Sequence, residues 1–156
     1  SAQTAGSFVK MNLDVARIQA LGAGFDAYGR FSAQWANKNL DSSQKFGLGG
    51  KNGVRAYPSG EGYGDEGHFV QTELRYAMSK FAPYVFYDRG RVTVNHKNWT
   101  PGDNGRTLAG GGFGTRYLDG KWKAELIAAW RTQGGAPRSD TRTSTPVIWA
   151  TLDYRF

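Results

Sequence analysis

The chain has 156 residues, no cysteine and 14% aromatics, with 20 Lys+Arg against 13 Asp+Glu for a formal net charge of +7. That length suits one domain with a sizeable core, and the lack of cysteine excludes a disulfide framework and any thiolate-ligated zinc or iron–sulfur site. A mean hydropathy of −0.57 with no apolar run near about 18 residues excludes a transmembrane helix but not a membrane barrel, whose alternating strands average out as polar. Twenty-two glycines against five prolines, with many aromatics, lean towards β structure with tight turns. The opening Ser1-Ala2-Gln3 carries neither Met nor a charged-then-apolar leader, as a mature, trimmed or excised chain would.

Period-2 alternation recurs along the chain, while helical periodicity is hard to find. Val9, Met11, Leu13 and Val15 oppose Lys10, Asn12 and Asp14, and the alternation slips near Ala16-Arg17, suggesting a bulge. After the turn Gly22-Ala23-Gly24, Phe25, Ala27, Gly29, Phe31, Ala33 and Trp35 alternate with Asp26, Tyr28, Arg30, Ser32 and Gln34. A long connection at 38–67 follows. Val70, Thr72, Leu74, Tyr76 and Met78 then oppose Gln71, Glu73 and Arg75 up to a turn at Ser79-Lys80. In the segment 81–94, Val85 and Tyr87 oppose Tyr84, Phe86 and Asp88, and a second long connection spans 96–106. A glycine-rich strand starting near Leu108 sets Phe113, Thr115 and Tyr117 against Arg116, before the turn Leu118-Asp119-Gly120. Trp122, Ala124, Leu126, Ala128 and Trp130 then share one face, and Lys123, Glu125, Ile127, Ala129 and Arg131 the other. After a third long connection at 133–145, Ile148, Ala150, Leu152, Tyr154 and Phe156 alternate with Trp149, Thr151, Asp153 and Arg155. This makes about seven strands, several of them roughly twice the mean globular length.

Short turns and long connections alternate, the asymmetry of an outer-membrane barrel with brief periplasmic turns and extended external loops. Trp122 and Trp130 bracket one apolar face roughly 26 Å apart at about 3.3 Å per residue. With a strand tilt of about 40° this is close to the height of a lipid-facing band between aromatic girdles. The opposite faces carry both signs of charge, as a polar lumen needs, and the chain ends on an aromatic residue of the outward register. A soluble barrel, filled by the apolar set, is the bland alternative. An odd strand count does not close an antiparallel barrel and leaves two edges unpaired in lipid. Either a strand near residues 1–7 is missing from the count, or the chain is the end of a larger barrel, which fits better.

Two motifs sharpen this. The longest connection carries Phe46-Gly47-Leu48-Gly49-Gly50 and then Val54-Arg55-Ala56-Tyr57-Pro58, and the strand after next carries Phe86-Tyr87-Asp88-Arg89-Gly90. Asp88 shares the register of Phe86 and Gly90, so it points to the expected lumen, where the planar fork of Arg55 can bind its carboxylate in two hydrogen bonds. Gly90 would permit close approach of the loop to the wall. Together with Gln34-Trp35-Ala36, the Asn39–Ser43 run and the terminal Phe156, these motifs resemble the polypeptide-transporting β-barrel superfamily in its two-partner secretion branch, the haemolysin secretion/activation transporters. In that branch a Val-Arg-Gly-Tyr/Phe motif sits on the sixth external loop and Phe-x-Asp-x-Gly on a nearby strand. Ala56 stands where the family usually has glycine, which matters only if φ is positive there.

The resemblance implies an all-β fold, an antiparallel transmembrane β-barrel of about sixteen strands, of which residues 1–156 supply about the last seven, with no second domain. It also implies a location in the bacterial outer membrane and no cofactor. The function implied is secretion of a large β-rich partner of the filamentous haemagglutinin or haemolysin type. Val54, Arg55, Ala56 and Tyr57 would form the loop motif, Phe86, Asp88 and Gly90 the barrel-wall motif, and Arg55 with Asp88 a lock between them. Tyr154 and Phe156 would form the C-terminal signal read by the barrel-assembly machinery.

Other chemistry finds little support. Gly110-Gly111-Gly112-Phe113-Gly114 lacks the Lys-Ser/Thr of a phosphate-cradling loop and suits a curved wall instead. His68 and His96 are far apart, no metal-ligand spacing occurs, and no Gly-x-Ser-x-Gly elbow is present, so neither an enzyme nor a metal site is expected. The cations are interleaved with acids rather than gathered in a stripe, which argues against nucleic acid. Arg131, Arg138 and Arg142 near the last long connection could meet lipopolysaccharide phosphates, with plain solvation of a loop the weightier account. The rival function is a small closed outer-membrane barrel acting as adhesin or structural anchor, and a soluble ligand-binding barrel comes third.

Overall fold

The computed structural model describes residues 6–99 and 101–156, so most of the segment considered for an extra strand, residues 1–5, lies outside it. The long strands are β1 (Lys10–Gly22) and β2 (Phe25–Ala36), then β5 (Glu66–Tyr76) and β6 (Phe81–Thr93), then β7 (Gly105–Asp119), β8 (Trp122–Gln133) and β9 (Val147–Tyr154). Two short strands, β3 (Phe46–Gly47) and β4 (Tyr63–Gly64), pair with each other inside the long connection. The seven long strands form one antiparallel sheet in the order β1-β2-β5-β6-β7-β8-β9. Each neighbour in space is therefore the next long strand in the chain, a meander that short turns can make without crossovers. Among the described residues β1 and β9 do not pair, and both are open edges.

The expected seven strands are all present. The bulge expected near Ala16-Arg17 is not. Pairing there runs unbroken, Ala16 with Arg30 and Arg17 with Gly29, and the register shifts only between Ala20 and Gly22, beside the turn. What changes at Ala16-Arg17 is chemistry. The outward positions of β1 turn polar as the strand nears its turn, and Arg17 donates to Gln19 at 2.6 Å. The glycine-rich strand begins at Gly105, three residues before the Leu108 expected, and its register slips between Ala109 and Gly110.

Register propagates one outward set across the whole sheet. Leu13, Val15, Val70, Leu74, Val85, Tyr87, Phe113, Leu126, Ile148 and Leu152 all lie exposed on it, with Trp122 and Trp130 47% and 39% accessible. A soluble barrel would enclose this set, so its exposure argues for lipid contact. The inward face is covered by the long connection, which folds back over the sheet. Leu48, Val54, Ala56 and Tyr57 from that connection pack with Phe69, Tyr84, Phe86, Val92, Leu108, Ile127 and Ala129 of the strands into one buried cluster.

Candidate functional site

The site starts from a loop that has to satisfy its own backbone inside a wall of strands. It does so by turning tightly: Val54 N–H donates to Leu48 O at 2.7 Å, and Tyr57 N–H to Val54 O at 3.1 Å. The Gln71 amide, inward on β5, caps Gly53 O at 2.7 Å. These bonds hold Val54–Tyr57 at the centre of the inward face, where all four residues are almost wholly buried. Ala56 is absent from the residues of positive φ, so alanine is tolerated there without strain. Its methyl instead packs against Gly110, where an added Cβ would stand 2.2 Å from that of Ala56.

Arg55 reaches the wall in several ways at once. Nε and Nη2 donate to the two oxygens of Asp88 at 2.8 and 2.7 Å, and the Arg55 backbone N–H also donates to Asp88 at 3.0 Å. Nη1 donates to Glu73 Oε1 of β5 at 2.5 Å. The guanidinium lies 3.8 Å from the ring centroid of Phe86, a cation–π contact made strong by desolvation. Arg55 O accepts from Trp149 Nε1 of β9 at 2.8 Å. One residue thus ties the loop to β5, β6 and β9. Burial pulls the Arg55 guanidinium pKa down, but the hydrogen bond and charge of Asp88, with those of Glu73, more than offset it and leave it above the ordinary arginine value. The side chain is charged at any pH a cell meets.

Glu73 is the counter-ion that the sequence motifs do not mark. It also accepts from Arg75 at 2.7 Å and from Arg116 at 3.0 and 3.2 Å, so three arginines converge on one carboxylate. Arg116 in turn pairs with Glu125 at 2.8 Å, and Glu125 with Lys51 of the loop at 2.7 Å. Inward charges of both signs therefore pair along the wall. The only sequence signal for Glu73 was its inward phase; that it meets Arg55 depends on the register of β5 against β6.

Gly90 lies beneath Leu48, and a Cβ there would stand 2.6 Å from Leu48 Cδ2 and 2.7 Å from Phe69 Cβ. Tyr57 donates to Gln133 O and Gly135 O at 2.8 and 2.9 Å, reaching the connection after β8. Glu61, 1% accessible, grips the same connection by accepting from Arg138 N–H, Ser139 N–H and Ser139 Oγ at 2.9, 2.8 and 2.6 Å, with Arg106 as its counter-ion. Asp65 does the same for the connection after β6. It accepts from His96 N–H at 2.9 Å and Leu40 N–H at 3.1 Å and pairs with Lys45 at 2.9 Å. His96, which had no evident partner in the sequence, pairs with Glu66 at 2.8 Å. Arg131 is turned inward, donating to Ser144 O at 3.2 Å, and Arg138 is held through its backbone by Glu61. Tyr154 packs on Trp122 and Phe156 with ring centroids 4.7 and 5.2 Å apart, at the turn end of the outward face.

A family model described as haemolysin secretion/activation protein ShlB/FhaC/HecB matches residues 2–117. The heme/hemopexin transporter protein HuxB of Haemophilus influenzae is 37% identical over 93 residues, both in strain Rd and in strain 86-028NP. That match covers 56% of this chain and 16% of HuxB, so the chain corresponds to a small part of that relative. Among solved structures, CdiB from Acinetobacter baumannii is similar over 93% of this chain and 26% of its own, with a TM-score of 0.67 and 20% identity, a likeness of fold.

Proposed function

The chain belongs to the haemolysin secretion/activation protein family, and from that premise we propose that it forms part of the wall of an outer-membrane pore through which a large β-rich partner protein is secreted. Residues 1–156 are read as the C-terminal portion of the barrel, closed by strands from elsewhere. The observation that carries the reading is the long connection folded over the inward face and pinned by Arg55 to Asp88 and Glu73. A carrier for an unfolded chain needs a polar wall and an element that can vacate or reshape the conduit. Here that element is one loop, held by a few concentrated contacts rather than by a continuous ladder.

Polar groups along the inward face would let a passing chain exchange hydrogen bonds with the wall, and no step in this picture requires ATP or a catalytic group. HuxB is by name a heme/hemopexin transporter; for this chain the proposal keeps the class of cargo, a secreted protein of filamentous haemagglutinin or haemolysin type. The barrel-assembly machinery would read the final strand through Tyr154 and Phe156. Among the described residues β1 and β9 are unpaired edges, which weighs against a small closed barrel acting as adhesin or anchor.

In the full-length protein, Arg55→Ala should abolish or sharply reduce secretion of the partner while the heat-modifiable barrel still assembles. Undiminished secretion in that variant would remove the proposed role of the loop.

A further inference from the structure

The outward face is apolar along most of its length, and placing a charge there costs up to about 2–4 kcal/mol at the midplane of a bilayer, falling towards the interfaces. Arg89 and Arg91 of β6 break the pattern. Both are exposed on the outward side, in phase with Val85 and Tyr87, at the end of the strand that leads into the connection at 96–106. Two residues apart on one strand, they stand roughly 7 Å from each other. Among the described residues neither side chain makes a hydrogen bond or an ion pair, whereas the inward side chains of Arg30, Arg55, Arg75, Arg106 and Arg116 all meet carboxylates.

Beside Arg91 lies a groove of about 240 Å3 whose lining includes Phe31, Trp35, Glu66, His68 and Thr93. Glu66, its one carboxylate, is already engaged by His96. The His68 ring stacks on Phe31 with centroids 6.3 Å apart, making one wall of near-parallel rings. The groove therefore combines an aromatic wall with the guanidinium of Arg91 in its lining, and Arg89 stands two residues away on the same outward face. An anionic amphiphile matches both parts, its chains against the aromatics and its head on the arginines. Guanidinium prefers phosphate, which it can bind through two hydrogen bonds.

We propose that Arg89 and Arg91, with the Phe31–Trp35 groove, form a binding site for a phosphate-bearing lipid of the outer leaflet. The proposal rests on the membrane reading and moves the expected lipopolysaccharide contact away from Arg131, whose guanidinium donates to Ser144 O of its own connection. The site would fix the height of β5 and β6 in the membrane at the wall where Glu73 and Asp88 hold the loop.

The test uses the full-length protein in detergent, titrated with purified lipopolysaccharide, its enzymatically dephosphorylated form, and inorganic phosphate, read by the shift in barrel unfolding temperature. Lipopolysaccharide should stabilise the wild type, and the R89Q/R91Q variant should bind it at least about tenfold more weakly, while R89K/R91K retains part of the affinity. Equal affinity of wild type and R89Q/R91Q, an undiminished response to the dephosphorylated lipid, or an equal response to inorganic phosphate would each overturn the lipid site. If the wild-type protein does not run as a heat-modifiable barrel, the membrane reading fails and takes the site with it. An intact barrel with unaltered lipid affinity in R89Q/R91Q removes the site alone.

Discussion

Burying a charge is tolerable only with partners in good geometry, and Arg55 has two carboxylates, one of them bidentate. Truncating Asp88 would strand part of that charge, a loss of roughly 3–5 kcal/mol for a broken buried pair. Asp88→Ala in the full-length protein should therefore reproduce the secretion defect of Arg55→Ala, and a double variant should be no worse than either single one. A clear excess of defect in the double variant, measured as secreted partner, would show the two residues acting independently. Arg55→Lys keeps the charge but loses the fork, so it should fall between wild type and Arg55→Ala. Glu61 gives a prediction of another kind. Glu61→Ala removes the acceptor for three hydrogen bonds from residues 138 and 139, at a cost on the order of 2 kcal/mol. Limited proteolysis should then cut the 133–146 connection faster, with Glu61→Gln intermediate; equal cutting rates would contradict the anchoring.

The strands could be read from sequence because most of them alternate cleanly over several residues. The Arg55–Asp88 contact could be anticipated because each partner sat in a motif and Asp88 also had a fixed inward phase. Glu73, Glu61 and Trp149 escaped for a physical reason. Alternation says which face a side chain takes, but not which neighbour it meets, and that depends on register and on the path of a loop lacking any period. Ala16-Arg17 misled in the opposite direction, since a polar residue on an outward face near a turn looks like a slipped strand. The Gly22–Gly24 turn carries its own consequence. Ala23 has φ 51, a left-handed conformation that costs an L residue roughly 1 kcal/mol or more. Ala23→Gly should raise the unfolding temperature of the barrel or leave it unchanged, and a marked fall would refute that account. Gly110→Ala should act on the loop and on β8 together, because the new methyl meets both the Ala56 Cβ at 2.2 Å and Trp130 O at 2.7 Å. Increased single-channel conductance of the reconstituted full-length protein is the expected sign that the loop has been displaced.

The outward aromatics end at Phe156, which is fully exposed beyond β9 and meets the Tyr154 ring edge-on. So little packing makes it a poor contributor to stability and a good candidate for recognition. Deleting Phe156 should lower outer-membrane insertion without changing the unfolding temperature of the barrels that do form; normal yields would reject the signal role. The sheet itself imposes a constraint of symmetry. Neighbouring strands alternate in direction, so the first and seventh, β1 and β9, point the same way. Bending the sheet round to join its own edges would place them parallel, and a ring of copies joined edge to edge in the same orientation would repeat that mismatch at every seam. Joining β1 to β1 of a second copy does give antiparallel strands, but the two-fold axis then lies in the membrane plane and turns one copy upside down, its long connections facing the wrong side. Antiparallel closure with every long connection on one side therefore requires an odd number of additional strands between β9 and β1. Parity alone rules out a pore made only of repeats of this sheet.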